Sequence, residues 1–259
     1  MIRQIYSRQD LPLGDLQRIG LARDGVLALD ADDLNALLAG RRTDMLRLEN
    51  LNAEGVHIPA LDAKLSLKKN ADGALELLLH PIHREPSAPS FLTDTQVAML
   101  EQGDTPNVHT IMFDGEGKPK DVLVEFDNDT NEFIVVDTDK IQAPDKINGL
   151  PLTTAQKERY RKGDEVTADD GTTVQYSATD KQGIRSDKHM LIASIIIDGG
   201  ATYLLFKAIS ALFHREQDDE PGLNFDKAQK EMQQANPAKG TVLAAGEDFE
   251  EDHEQTIQR

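Results

Sequence analysis

The sequence predicts an α+β chain. It should carry short N-terminal helices, antiparallel β-hairpins, two helix-plus-β-hairpin repeat units, then a long apolar helix and a disordered acidic tail. Three observations lead there. Leu61, Ala63, Leu65 and Leu67 alternate with Asp62, Lys64, Ser66 and Lys68, the period-two pattern of a half-buried strand. A helix-capping segment recurs at an offset of 60 residues. Residues 190–213, MLIASIIIDGGATYLLFKAISALF, form the most apolar run in the chain. The expected organisation is therefore a helix and hairpin region over 1–90, repeat units over 91–150 and 151–185, the apolar helix over 190–213 and the tail over 216–259.

The first helix follows Asp10, with Leu13, Leu16 and Ile19 near helical spacing and Gly20 as its stop. A second follows Asp30 or Asp32, with Leu34, Leu37 and Leu38 on one face and Gly40 as the C′ residue. Arg41 and Arg42 then sit where cations complement the helix dipole. A phosphate site is the sharper reading of that pair, and the acidic background weighs against it.

Residues 44–85 read as β-rich. Asn70-Ala71-Asp72-Gly73 supplies the turn that returns the Leu61–Lys68 strand on itself. His80 and His83 stand three apart with no third ligand in view, so no metal site is expected. Pro81, Pro86 and Pro89 mark a connector.

The repeat begins LTDTQVAMLEQGD at Leu92 and LTTAQKERYRKGD at Leu152. Thr93 and Thr153 are N-caps, Gln96 and Gln156 their capping-box partners, and Gly103 and Gly163 the C′ glycines. β segments separated by Gly-rich turns follow each helix. Within the first unit, Asp127-Asn128-Asp129-Thr130-Asn131-Glu132 resembles the start of a calcium loop. It has Glu132 where Gly is needed and Thr138 where a bidentate Glu is needed. An Asx-rich hairpin turn is the expected structure.

As a helix, the 24-residue apolar run would span roughly 36 Å, enough for a bilayer core. Asp198 near its centre opposes insertion. Ser194, Asp198 and Thr202 would share one helix face and serve as helix-pairing residues in an oligomer. Two readings stand: a transmembrane helix, or a helix buried in a soluble assembly. If the run spans, the basic flank at Arg185 and Lys188 places the N-terminal region in the cytoplasm.

A net charge of −18 argues against phosphate-driven nucleic-acid binding. The absence of cysteine removes disulfides, thiolate zinc sites and a Cys nucleophile. The N-terminus has no apolar h-region, so no cleaved signal peptide is expected. Residues 216–259 hold twelve acidic residues against four Lys or Arg, a composition that favours disorder. Asp226 to Ala235 reads as an isolated polar helix within it.

Two segments carry a family resemblance: LDAKLSLKKNADGALELLLHPIHREP, and VEFDNDTNEFIVVDTDKIQAPDKINGLPLTTAQKERYRKGDEV. With LLAGRRT upstream, their order resembles a Bacteroidota domain family of unknown function (number 4099, with a 3945-like repeat). That family is common in proteins of conjugative transposons and related mobile elements. The resemblance covers about residues 11–180 and implies a context, with no catalytic residues.

The expected function is a non-enzymatic adaptor of a mobile genetic element, tethered to the inner membrane through 190–213 and working by protein–protein contact. Alternatives are a soluble oligomeric module with the apolar helix buried in the assembly, and an acidic DNA-mimic inhibitor. The expected partner is another protein or a second copy. No catalytic residue, cofactor, metal, nucleic acid or small-molecule substrate is expected, and the location is cytoplasmic.

Overall fold

The structure is a computed structural model that describes residues 5–24, 26–53, 55–197, 200–207, 209–213 and 215–235. The chain opens with helix α1 (Leu13–Arg18), the short pair β1 (Ala22–Arg23) and β2 (Val26–Leu27), and helix α2 (Ala31–Leu38). The Asp30 side chain caps α2 by accepting from the Asp33 amide at 2.6 Å. Three antiparallel strands follow: β3 (Leu46–Ala53), β4 (Val56–Lys69) and β5 (Leu75–Pro81). The Asn70 side chain closes the β4–β5 turn by accepting from the amides of Asp72 and Ala74. Leu16, Leu37, Leu48 and Leu65 are fully buried between the helices and this sheet.

Two helix-led units come next. Helix α3 (Asp94–Glu101) precedes the antiparallel meander β6 (Val108–Phe113), β7 (Pro119–Asp127) and β8 (Glu132–Asp137). The short hairpin of β9 (Lys146–Ile147) and β10 (Leu150–Pro151) leads into helix α4 (Thr154–Arg161). Strands β11 (Val166–Thr167), β12 (Thr173–Tyr176) and β13 (Ile184–Ser186) follow. Leu123 and Val136 of the first unit pack against a core built from Tyr160, Val166, Val174 and Ile184 of the second. The two units therefore share one core through the face of β7 and β8.

The apolar run departs from expectation. It forms two antiparallel strands, β14 (Met190–Ile197) and β15 (Gly200–Lys207), paired from Met190↔Lys207 to Ile197↔Gly200. Among the described residues no helix is long and apolar enough to cross a membrane. The fold is thus dominated by β-sheet, with five short helices among the described residues and no long apolar helix. The physical reason is local. Ile195, Ile196 and Ile197 are β-branched and stiff in the way strands favour. Asp198-Gly199, a dipeptide favoured in two-residue hairpin loops, stands between the strands in sequence.

The run is continuously apolar because both faces are covered. Leu191 and Ala193 enter the core shared by the two units. Ile192 packs instead on helix α5 (Phe225–Ala235), against Phe225 and Ala228. That helix is docked rather than isolated, and Phe225, Ala228 and Met232 are its buried stripe. The beginning of the expected tail therefore belongs to the fold, and residues 236–259 lie outside the described residues. A last short strand, β16 (Ser210–Ala211), pairs in parallel with β13.

The helix-pairing stripe dissolves in this geometry. Ser194 lies opposite Tyr203, and Thr202 lies opposite Ile195 on the other strand. Asp198 lies outside the described residues. The Ser194 hydroxyl is buried with no hydrogen-bond partner among the described residues.

The hairpin is held in place by Asn148. With Gly149 it forms a two-residue turn between β9 and β10, with φ values of 48° and 79°, as a type I′ turn requires. The buried Asn148 side chain accepts from the Ile192 amide at 3.0 Å and donates to Asp170 and Thr172 at 3.0 and 3.1 Å. Asn148→Ala should cost about 2–4 kcal/mol, from stranded polar partners and strained backbone. Ser194→Ala, which removes a hydroxyl that bonds nothing described, should be neutral or stabilising. Urea denaturation of the two variants beside the parent chain checks both values.

Candidate functional site

The chemistry-bearing residues converge where the N-terminal sheet meets the β7–β8 turn. Lys64 sits on the buried side of β4, its side chain 5% exposed. Its ammonium donates to Asp127 Oδ1 at 2.9 Å and reaches Asp129 Oδ2 at 2.8 Å. Arg42, just past α2, donates to Glu132 at 2.7 Å, Thr130 at 3.1 Å and Asp127 at 3.3 Å. Backbone bonds seal the joint: the His83 amide donates to the Thr130 carbonyl, and the Asn131 side chain donates to the His83 carbonyl. Asn131 holds the left-handed turn position, φ 55°, which Asn tolerates better than most residues.

The electrostatics fit a structural clamp. Burial lowers the Lys64 pKa, but hydrogen bonds to Asp129 and Asp127 outweigh it and raise the value above the ordinary lysine range. His80 is shifted down by burial and then by Arg42, against the pull of Glu132. Neutral His80 accounts for its contacts: Nδ1 lies 3.3 Å from Glu132, and Nε2 lies 2.8 Å from the Ser66 hydroxyl. Nδ1–H then donates and Nε2 accepts.

A second buried carboxylate ties the two repeat units. Glu125 on β7 is fully enclosed. It accepts from the amides of Ala178 and Thr179, from the Ser177 and Thr179 hydroxyls, and from Arg185 at 3.4 Å. Burial pushes its pKa up against Arg185 and those hydrogen bonds.

These contacts settle where the flagged residues lie. Arg42 is spent on three acceptors. The Asp127–Glu132 turn has its carboxylates met by Lys64 and Arg42, so protein cations stand where a calcium ion would. His80 and His83 both approach Glu132, His83 at 3.6 Å. Among the described residues no group of three His, Asp or Glu could hold a metal ion. Thr93 and Thr153 cap their helices, each accepting from the amide of Gln96 or Gln156 while that glutamine accepts from the cap amide. Gly103 and Gly163 follow the two helices at φ 73° and 81°. All six are distant from the clamp in role: they shape helices and bring no reactive groups together.

The surface feature that sequence reasoning missed is the bare face of β6, whose strand at Val108–Phe113 the sequence does predict. β6 is an edge strand, paired among the described residues with β7 alone. Ile111 and Phe113 project from it to solvent, 52% and 69% exposed. His109 shares their face and lies 3.2 Å from Asp121 on β7. The alternating run VHTIMF carries a strand signal, yet alternation leaves both faces hydrophobic and does not say which is bare.

Comparison with known proteins adds one match. Residues 6–90 match the model of a family described as a protein of unknown function (DUF4099). The match includes the first of the two resembling segments and stops before the second. No curated protein matches the chain, and no solved structure does.

Lys64→Met should destabilise the protein by about 3–5 kcal/mol, because it leaves the buried Asp127, among the described residues, with only the longer 3.3 Å ion pair from Arg42, which is shared with Glu132. The double variant Lys64→Met/Asp127→Leu should recover part of that loss. Equilibrium denaturation of the three chains gives the comparison. The pH dependence has a definite sign. His80 has a folded pKa below its unfolded value of about 6.5, so its contribution is full above that pH and lost as pH falls through the folded value. The parent chain should therefore lose stability relative to His80→Gln on acidification below about 6.5. Lys64, raised in the folded state, contributes below about 10.4 and its contribution is lost above that.

Proposed function

We propose that the chain is a non-enzymatic interaction protein, an accessory of a mobile genetic element, that receives an extended segment of a partner protein along β6. The observation that carries this reading is the pair Ile111 and Phe113 standing bare on an edge strand. An edge offers a row of unpaired backbone donors and acceptors, and natural proteins usually blunt it. Here it keeps two large apolar side chains at alternate positions, the pattern that selects a strand added to a sheet. The chain's net charge of −18 favours a basic partner.

The mobile-element context rests on the resemblance of the two quoted segments alone, since the family matched over residues 6–90 is described as of unknown function. Tethering through residues 190–213 is no part of the proposal, because that run is a hairpin covered on both faces. A cytoplasmic location is retained as part of the same reading.

The test replaces both bare side chains, Ile111→Asp and Phe113→Asp. Their exposure predicts a stability change within about 0.5 kcal/mol. Parent and variant chains are compared by quantitative co-purification from the native cell and by sedimentation velocity. The expected result is a specific partner reduced at least about tenfold in the variant, or a parent dimer that becomes a monomer. Unchanged partners together with unchanged sedimentation would overturn the proposal.

A further inference from the structure

A cavity of about 450 Å³ lies behind the clamp, between the end of α2, the chain following β8 and the Tyr160–Tyr176 pair. Its volume falls in the range of small-molecule sites. Arg41 forms part of its wall. The Arg41 amide donates to the Ala36 carbonyl at 2.8 Å, which fixes the residue at the helix end. Its guanidinium Nε donates to the Lys181 carbonyl at 2.7 Å. The side chain lies flat against Gly183, where an added Cβ would stand 3.0–3.2 Å from its Cδ, Nη1 and Nε atoms. Gly183 is at φ 75°, so both conformation and close approach call for glycine.

Arg41 is under-used. A guanidinium carries five N–H donors, and the Lys181 carbonyl is its one hydrogen-bond acceptor among the described residues. No carboxylate there lies within ion-pair distance of it. Asp180 is the carboxylate whose charge acts on it, and that group accepts from the Ser210 hydroxyl and the Gln182 amide. Arg42 next door shows the contrast, with three side-chain acceptors. An enclosed cation without an anion is costly, and Arg41 keeps accessible surface toward the cavity.

The remaining walls suit an anion with an apolar body. The Tyr160 and Tyr176 rings meet edge to face, with centroids 6.1 Å apart. Burial raises both hydroxyl pKa values, so both stay neutral at ordinary pH, and the Tyr160 hydroxyl donates to the Gly183 carbonyl. The Tyr176 hydroxyl bonds nothing among the described residues. Gln142 lines the cavity, and Lys140 adds an exposed cation to its lining. Asp137 also lines the cavity, so beside the clamped Arg42 the two cations Arg41 and Lys140 face one carboxylate.

We propose that this cavity binds a small organic anion, a carboxylate or phosphate on a ring-sized apolar body, through the Arg41 fork with Lys140 at its mouth. The site is independent of the β6 surface, so either proposal can fail alone.

The test is calorimetric titration of the full chain with benzoate, phenyl phosphate, inorganic phosphate and benzylamine. The expected result is saturable binding of benzoate or phenyl phosphate, weaker binding of inorganic phosphate and none of benzylamine. Which aromatic anion binds tighter assigns the head group. Arg41→Lys, which keeps charge and loses the planar fork, should weaken binding at least about tenfold. Lys140→Ala, at an exposed position, should weaken it about twofold to threefold and reduce its salt dependence. Failure of both aromatic anions to bind with Kd below about 10 mM would overturn the proposal. So would binding that survives unchanged in both variants, or equal binding of benzylamine.

Discussion

Everything at the centre of this molecule depends on neutralising one turn. Asp127, Asp129 and Glu132 crowd six residues of chain, and Asp127 is buried. Left alone, those carboxylates would repel one another and stay in water. Lys64 and Arg42 reach them from the N-terminal unit, 63 and 85 residues earlier in the chain as measured to Asp127. Because a buried ion needs its counter-ion and its hydrogen bonds together, the turn can be buried only when the N-terminal unit is docked. The clamp therefore couples the folding of that unit to the first repeat.

A second layer of the same logic joins the repeat units. Glu125 is buried in one unit and takes its donors from the 177–179 stretch and Arg185 of the other. Lys181 in the connecting loop pairs with Asp44 at 2.6 Å, and its carbonyl holds Arg41. Loop 177–183 is thus bound both to β7 and to the N-terminal unit. The hydrophobic core that Leu123, Val136 and Tyr160 share supplies the non-directional attraction. The polar contacts set the register in which those surfaces meet.

The two proposed binding surfaces sit where this bonding stops. At the clamp, cations and carboxylates are matched, and the groups hold shape. One residue along from Arg42, Arg41 has a cavity in place of a carboxylate. In the first repeat, β6 is paired on one edge by β7 and has no strand on the other among the described residues. Both features are departures from local completeness beside a clamp whose charged groups are matched. Binding functions are expected at such places, since a group left unpaired inside the fold is free to pair with something outside it.

Sequence alone determined the short-range structure. Capping boxes at Thr93–Gln96 and Thr153–Gln156, the Asn70 turn and the alternating strand at Leu61–Leu67 all depend on residues within a few positions, so their chemistry is legible in the chain. It also showed that the Asp127–Glu132 turn lacks the ligands of a calcium loop. Tertiary structure decided what covers each element. The run at 190–213 is apolar throughout because its first strand lies between a core and α5, and a run covered on both faces has no periodicity to separate strand from helix. The partners of Asp127, Glu125 and Arg41 stand tens of residues away, where spacing carries no information. Helix or hairpin, ligand or clamp, the choice fell to whichever surface arrived to bury the residue.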